Sequence, residues 1–229
     1  SGTAALHLVG LAKKWKKEDI IITTPISFLA TANCIEYSSA RTEFVDIDYK
    51  YGNIDPNILE EKVKKLNRYK KKVKAVIAVD YAGHPCDWES LNYISNKYSL
   101  TLINDNCHAM GASYRGLKSY AMKYADIVTH SYHPVKNFTT GEGGSVITND
   151  KKIYDTVSRL RNHGIERSIN KKKNSSPWFY SMNELGYNYR ITDFQCALGV
   201  SQIRKLDQFV NKRNKIAKNY NREFSDIDN

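Results

Sequence analysis

Long apolar runs are missing from this chain. No stretch approaches the roughly 18–20 residues that a bilayer-spanning helix needs, so no transmembrane segment is expected. Cysteine is scarce: Cys34, Cys86, Cys107 and Cys196 lie far apart, and no two form a C-x-x-C pair. That spacing argues against a zinc ribbon or a disulfide framework and predicts reduced thiols in a cytoplasmic protein. Residues 1–7 carry no basic segment and only a short apolar stretch, unlike a signal peptide. There is no internal repeat, zinc finger, helix-turn-helix or RNP-type motif, so nucleic acid is not expected as a partner despite a net charge of +11. Lysines cluster around residues 13–17, 62–74 and 171–173. Such clusters are either solvated faces or an attraction for an anionic ligand such as a nucleotide diphosphate. The initiator methionine is also absent, and the sequence is expected to be a fragment cut at both ends.

Against these absences stands a hydrophobic fraction of 41% over 229 residues, enough to bury a sizeable core. Short β-branched runs at residues 20–23, 42–46, 73–80, 99–105, 126–131 and 144–148 read as strands. Helical patterns at residues 3–13, 28–37, 57–67, 87–98 and 151–162 lie among them. Asp55-Pro56 and Asp87 are helix-start signals. The alternation predicts an α/β fold, a mostly parallel sheet covered by helices on both faces. From residue 192 to 224 the apolar spacing is helical, predicting one helix of about 50 Å if unbroken. A helix that long crosses between domains, so the expected division is 1–191 and 192–229. Residues 170–176 predict a mobile loop.

Ligands in open α/β sheets sit beyond the carboxyl ends of the strands. Here three of those ends are polar: Asp80, Asp105 and Ser131; the two aspartates either border a site or simply form turns, the more common role for aspartate after a strand. Four motifs are candidates for chemistry. Ser1-Gly2-Thr3 is a small-residue turn at a helix start, suited to a phosphate or simply to capping. Asn104-Asp105-Asn106-Cys107-His108 closes a strand. A carboxylate there can pair with a protonated pyridine nitrogen and keep the ring an electron sink. His108 either approaches that ring's phenolic oxygen or is an ordinary loop histidine. Ser131-Tyr132-His133-Pro134-Val135-Lys136 precedes the turn Gly141-Glu142-Gly143-Gly144, and Lys136 can form an imine with an aldehyde cofactor. His130 and His133 make a poor metal site, and no metal is expected. Gly186-Tyr187-Asn188-Tyr189-Arg190 is either an anion- or partner-binding segment or a polar turn.

Together these motifs carry a resemblance. SGTAALHL, TTPISFLATANC, VDYAG, INDNCHAMGASY, HSYHPVKNFTTGEGGSVITND, RNHG and LGYNYRITDFQCALGVSQIRKLDQF resemble the DegT/DnrJ-type sugar aminotransferases over essentially the whole chain. PVKNFTTGEGG and PWFYSMNELGYNYRITDFQCALG are most similar to the transaminases of pseudaminic acid biosynthesis. The resemblance implies the large domain of fold type I, the aspartate aminotransferase-like fold, with the small C-terminal domain largely missing. It implies pyridoxal 5'-phosphate (PLP) as cofactor and Lys136 as the lysine bonded to it. Asp105 would pair with the pyridine nitrogen, His108 would approach the phenolic oxygen and Phe28 would stack on the ring. Gly2, Thr3 and Ser131 would hold the phosphate, and Asn188 would reach the phosphate of the neighbouring subunit in a homodimer. Asn106-Cys107 departs from the small residues usual after that aspartate, which puts the packing behind the ring in doubt.

The activity so implied is transfer of an amino group from L-glutamate to a UDP-linked 4-keto-6-deoxy sugar, with residues 171–173 as a candidate contact for the diphosphate. The rivals are another nucleotide-sugar aminotransferase, acting on a different sugar or at C3, and a non-catalytic binding or regulatory protein on the same fold. Dehydratase-like relatives carry histidine in place of the lysine, whereas Lys136 is present here.

Overall fold

A computed structural model describes residues 1–166 and 178–227. The 171–173 lysine cluster and the whole of the expected 170–176 loop lie outside the described residues.

Six strands form one sheet in the order β2-β1-β3-β4-β5-β6. They are β1 (Asp19–Thr23), β2 (Arg41–Phe44), β3 (Lys72–Val79), β4 (Thr101–Asp105), β5 (Ile127–Ser131) and β6 (Gly144–Thr148). All pairings are parallel except β5 with β6. The expected strand over 99–105 begins only at Thr101, because Ser99 sits at φ +53° and stops the preceding helix. Helices α1 (Gly2–Ala12), α2 (Leu29–Tyr37), α3 (Pro56–Arg68), α4 (Trp88–Lys97), α5 (Tyr120–Tyr124) and α6 (Lys151–Leu160) surround the sheet. Asp55, Asp87 and Asp150 cap α3, α4 and α6 by accepting first-turn N–H bonds. Helix α5 was not foreseen; one turn is too short to show a helical period. The short pair β7 (Ile165–Glu166) and β8 (Ser181–Met182) was also unforeseen.

The strand pleat divides the core in two. Ile20, Ile22, Val76, Ala78, Leu102 and Val128 join Leu59, Val63, Trp88 and Leu91 of α3 and α4 in one cluster. Ile21, Ala75, Ile77, Ile103 and Ile127 join Leu6, Val9 and Ile35 of α1 and α2 on the other face. Both faces of the central strands are therefore apolar, which is why their sequences run continuously hydrophobic rather than alternating.

The expected single helix from 192 to 224 is corrected to two, α7 (Asp193–Ile203) and α8 (Leu206–Glu223). The Lys205 N–H bonds Gln202 O three residues back, at 2.9 Å, and α8 restarts with Phe209 N–H on Lys205 O. That tightened turn breaks the ladder without proline or glycine. It brings Leu206 and Val210 against Gly111, whose φ of +87° and close neighbours leave no room for a side chain. Among the described residues no helix is long and apolar enough to cross a membrane.

Ile77 lies in the middle of the sheet and is fully buried. Ile77→Ala is expected to cost about 2–5 kcal/mol, read as a lowered urea midpoint.

Candidate functional site

A cavity of about 530 Å³ opens at the carboxyl ends of β3, β4 and β5. Gly2 and Thr3 of α1, Phe28, Val79, Asp105, His108, Ser131 and Lys136 all line it. Of the eight residues that the resemblance assigns to the cofactor, Asn188 alone is elsewhere. It is exposed and borders a neighbouring cleft of about 520 Å³ on the far side of α1, which shares Ser1 and Glu142 with the first.

Each wall has a local cause. Ser1 caps α1, its hydroxyl accepting the Ala4 N–H at 3.1 Å. The first-turn N–H groups of Gly2 and Thr3 make no hydrogen bond to a described residue, and the helix dipole adds partial positive charge there. Gly2 has to be glycine: a Cβ at that position would lie 2.7 Å from Ser131 Cβ and 3.3 Å from Cys107 Sγ. The end of β5 is thereby brought against the helix start, and Ser131 joins the same corner.

Asp105 is buried at the end of β4. Its Oδ2 accepts the Thr31 hydroxyl at 2.7 Å and its Oδ1 the Cys107 N–H at 3.3 Å. Each oxygen keeps a lone pair for a further donor. Thr31 was missed in the sequence. It stands one helical turn after Phe28, so the i,i+3 relation was the available signal. Lys136 is half-buried on the loop after β5. Its neighbour Asn137 donates to Met110 O at 2.6 Å and His108 O at 3.3 Å, tying the lysine loop to the loop that follows Asp105. Arg213 of α8 reaches Lys136 O at 3.4 Å.

Among the described residues His108 Nδ1 is buried without a hydrogen-bond partner. Burial pushes its pKa below the ordinary 6.5, the Lys136 charge pushes it further, and the Asp105 carboxylate opposes both. His133 lies at the cavity 3.8 Å from Glu142, whereas His130 is buried within β5. Phe28 lines the cavity and is 63% exposed. Asp80 closes β3 but does not line the cavity; Val79 does.

In the cofactor-free protein the imidazole of His108 is expected to titrate below 6.5 by NMR. Lys136→Ala should raise that value without restoring it fully, because burial is the larger cause. A folded-state pKa below the unfolded one means that the unfolded chain binds the extra proton first. Stability from this group is therefore present above pH 6.5 and falls as the pH drops through the folded value.

The whole chain, residues 1–229, matches the DegT/DnrJ/EryC1/StrS aminotransferase family. It is 41% identical over 98% of its length to the UDP-4-amino-4,6-dideoxy-N-acetyl-beta-L-altrosamine transaminase of Campylobacter jejuni, spanning 56% of that protein. Among solved structures it resembles Helicobacter pylori PseC, an aminotransferase of pseudaminic acid biosynthesis. The TM-score is 0.84 at 33% identity, covering 99% of this chain and 57% of the other. It also resembles NtdA of Bacillus subtilis solved with bound cofactor PMP, with TM-score 0.82 and 28% identity over 99% of this chain and 48% of the other. The chain thus spans about half the length of these proteins. Match and fold together establish that the chain belongs to the DegT/DnrJ/EryC1/StrS aminotransferase family.

Proposed function

We propose that the protein containing this chain is a PLP-dependent aminotransferase that moves an amino group from L-glutamate to a UDP-linked 4-keto-6-deoxy sugar in pseudaminic acid-type biosynthesis. The carrying observation is that one cavity is lined by Lys136, Asp105 and the start of α1, where the Gly2 and Thr3 N–H groups make no hydrogen bond to a described residue. The relative that is 41% identical supports the UDP-sugar reading.

The residues present fit PLP. The α1 start and Ser131, packed against it because Gly2 has no side chain, would hold its phosphate. Asp105, with a lone pair left on each oxygen, would accept a hydrogen bond from the ring nitrogen. His108, which lines the same cavity, would approach the phenolic oxygen, and the neutral imidazole that burial favours would add no charge there. Phe28 would cover one face of the ring. When bound, PLP supplies an electron sink for the pair left behind as the donor's Cα loses its proton.

The remaining work falls to the protein. The Nζ of Lys136, released by the donor amine, would take the proton from the donor's Cα and deliver it to the cofactor, and in the sugar half-reaction would carry one from the cofactor to the sugar carbon that receives the amine. Glu142 and His133, at the same opening, are placed to meet the substrate. Asn188 is solvent-facing in its own chain, which fits a role in the site of a second subunit of a homodimer. Helix α8, with no buried residue, would lead into the second, smaller domain.

The full-length protein mixed with PLP should develop a visible absorption band near the ultraviolet border. Lys136→Ala should abolish both band and turnover. Product masses after incubation with glutamate and a panel of UDP-4-ketosugars should show the amine on one of them. A Lys136→Ala variant with normal turnover would overturn the assignment. A different sugar or position in the product would redirect it within the family.

A further inference from the structure

Asp80 is fully buried on the face of the sheet opposite the cavity, beside α4 and α5. Its carboxylate gathers five donors. Oδ1 accepts the Cys86 N–H at 2.8 Å and the Trp88 indole N–H at 3.0 Å. Oδ2 accepts the Tyr120 hydroxyl at 2.6 Å and the side-chain amides of Asn104 at 3.1 Å and Asn106 at 2.8 Å. The Asn106 amide also reaches the Tyr120 oxygen at 2.9 Å. Among the described residues no lysine, arginine or histidine forms an ion pair with Asp80. Keeping a carboxylate dry without a cation is costly, so a group that served only to fill space there would be apolar.

The two amide donors are the immediate neighbours of Asp105. In extended backbone, residues on either side of a position face one way and the position itself faces the other. The core follows the same parity: Leu102 packs toward α3 and α4, Ile103 toward α1 and α2. Tethering Asn104 and Asn106 to a single oxygen stops the end of β4 from rolling. The Asp105 side chain is then held to the opposite, cavity-lining face, where the Thr31 hydroxyl completes its hold.

We infer that Asp80 is a positioning residue for Asp105, aiming that carboxylate at the cofactor's ring nitrogen through Asn104 and Asn106. The inference rests on the cofactor reading above. It also gives a purpose to Asn106, one of the two residues, with Cys107, that depart from the small side chains usual after the aspartate.

The two oxygens of Asp80 separate positioning from mere stability. Oδ2 serves the neighbours of Asp105, and Oδ1 serves the turn leading into α4. Asn106→Ala and Asn104→Ala each remove one donor from Oδ2, whereas Trp88→Phe removes one from Oδ1. The readouts are the pH titration of the visible cofactor band in the full-length, PLP-loaded protein, steady-state kinetics and thermal midpoint. Asn106→Ala should displace the titration midpoint by on the order of half to one pH unit, because the charge facing the ring nitrogen has moved. Its kcat should fall roughly tenfold with KM within about twofold, the pattern of an interaction lost at the chemical step. Asn104→Ala should act in the same direction. Trp88→Phe should lower the thermal midpoint and leave the titration in place. Unchanged titration in both asparagine variants, or an equal displacement in Trp88→Phe, overturns the positioning role while leaving the cofactor reading intact. An unaltered full-length protein that forms no band with PLP overturns the cofactor reading, and this inference with it.

Discussion

A strand sends successive side chains to opposite faces, and β4 uses that alternation to keep two kinds of polar chemistry apart. Asn104 and Asn106 turn toward the buried carboxylate of Asp80, while Asp105, between them, turns toward the cavity. A carboxylate meant to face a charged ring has to be held there before the ring arrives, since reorganisation at the moment of reaction adds to the barrier. Most of the site's geometry follows from this one pleat. Val79 and Ser131 line the cavity from the neighbouring strands, and Thr31 approaches from α2 on the same side.

The electrostatics are arranged by burial as much as by charge. Among the described residues Asp105 accepts hydrogen bonds only from neutral donors and is in no ion pair. His108 is pushed toward its neutral form by burial and by Lys136. On the hidden face, burial drives the Asp80 carboxyl upward in pKa while its hydrogen bonds pull it down, and it drives the Tyr120 hydroxyl upward. A polar network in a dry setting is stiffest when every member is satisfied; Asp80 is met on both oxygens, whereas Asn104 Oδ1 is buried with no hydrogen-bond partner among the described residues.

The C-terminal helices are drawn into the same arrangement from outside. The turn at Lys205 lets α8 settle on the loop around Gly111, where Lys118 pairs with Asp207 at 2.8 Å, and it brings Arg213 to the carbonyl of Lys136. Gly199 of α7 lies close against Thr140, in the turn that follows the lysine loop. The backbone carrying Lys136 is thus touched by α8 as well as by the loop after β4. A single unbroken helix, as the periodicity alone suggested, would continue straight past Gln202 instead of turning there.

Much of this was legible in the residues. Apolar runs marked the strands, aspartates marked the helix starts, and the motifs around Gly2, Asp105, Ser131 and Lys136 named the residues that the fold gathers into one cavity. Local chemistry decides such features: a capping carboxylate or a β-branched run acts on its own neighbours, and sequence spacing records it. Partnerships across space were not legible. Asp80 looked like another polar strand end bordering a site, yet strand parity turns it to the other face. Thr31 lay in a recognised stretch without a role until α2 was set against β4. The break after Ile203 left no proline or glycine to betray it. Whether a polar residue faces a ligand or a neighbouring side chain depends on which strands become neighbours and on which face each position lands. The chain sets those relations only by folding.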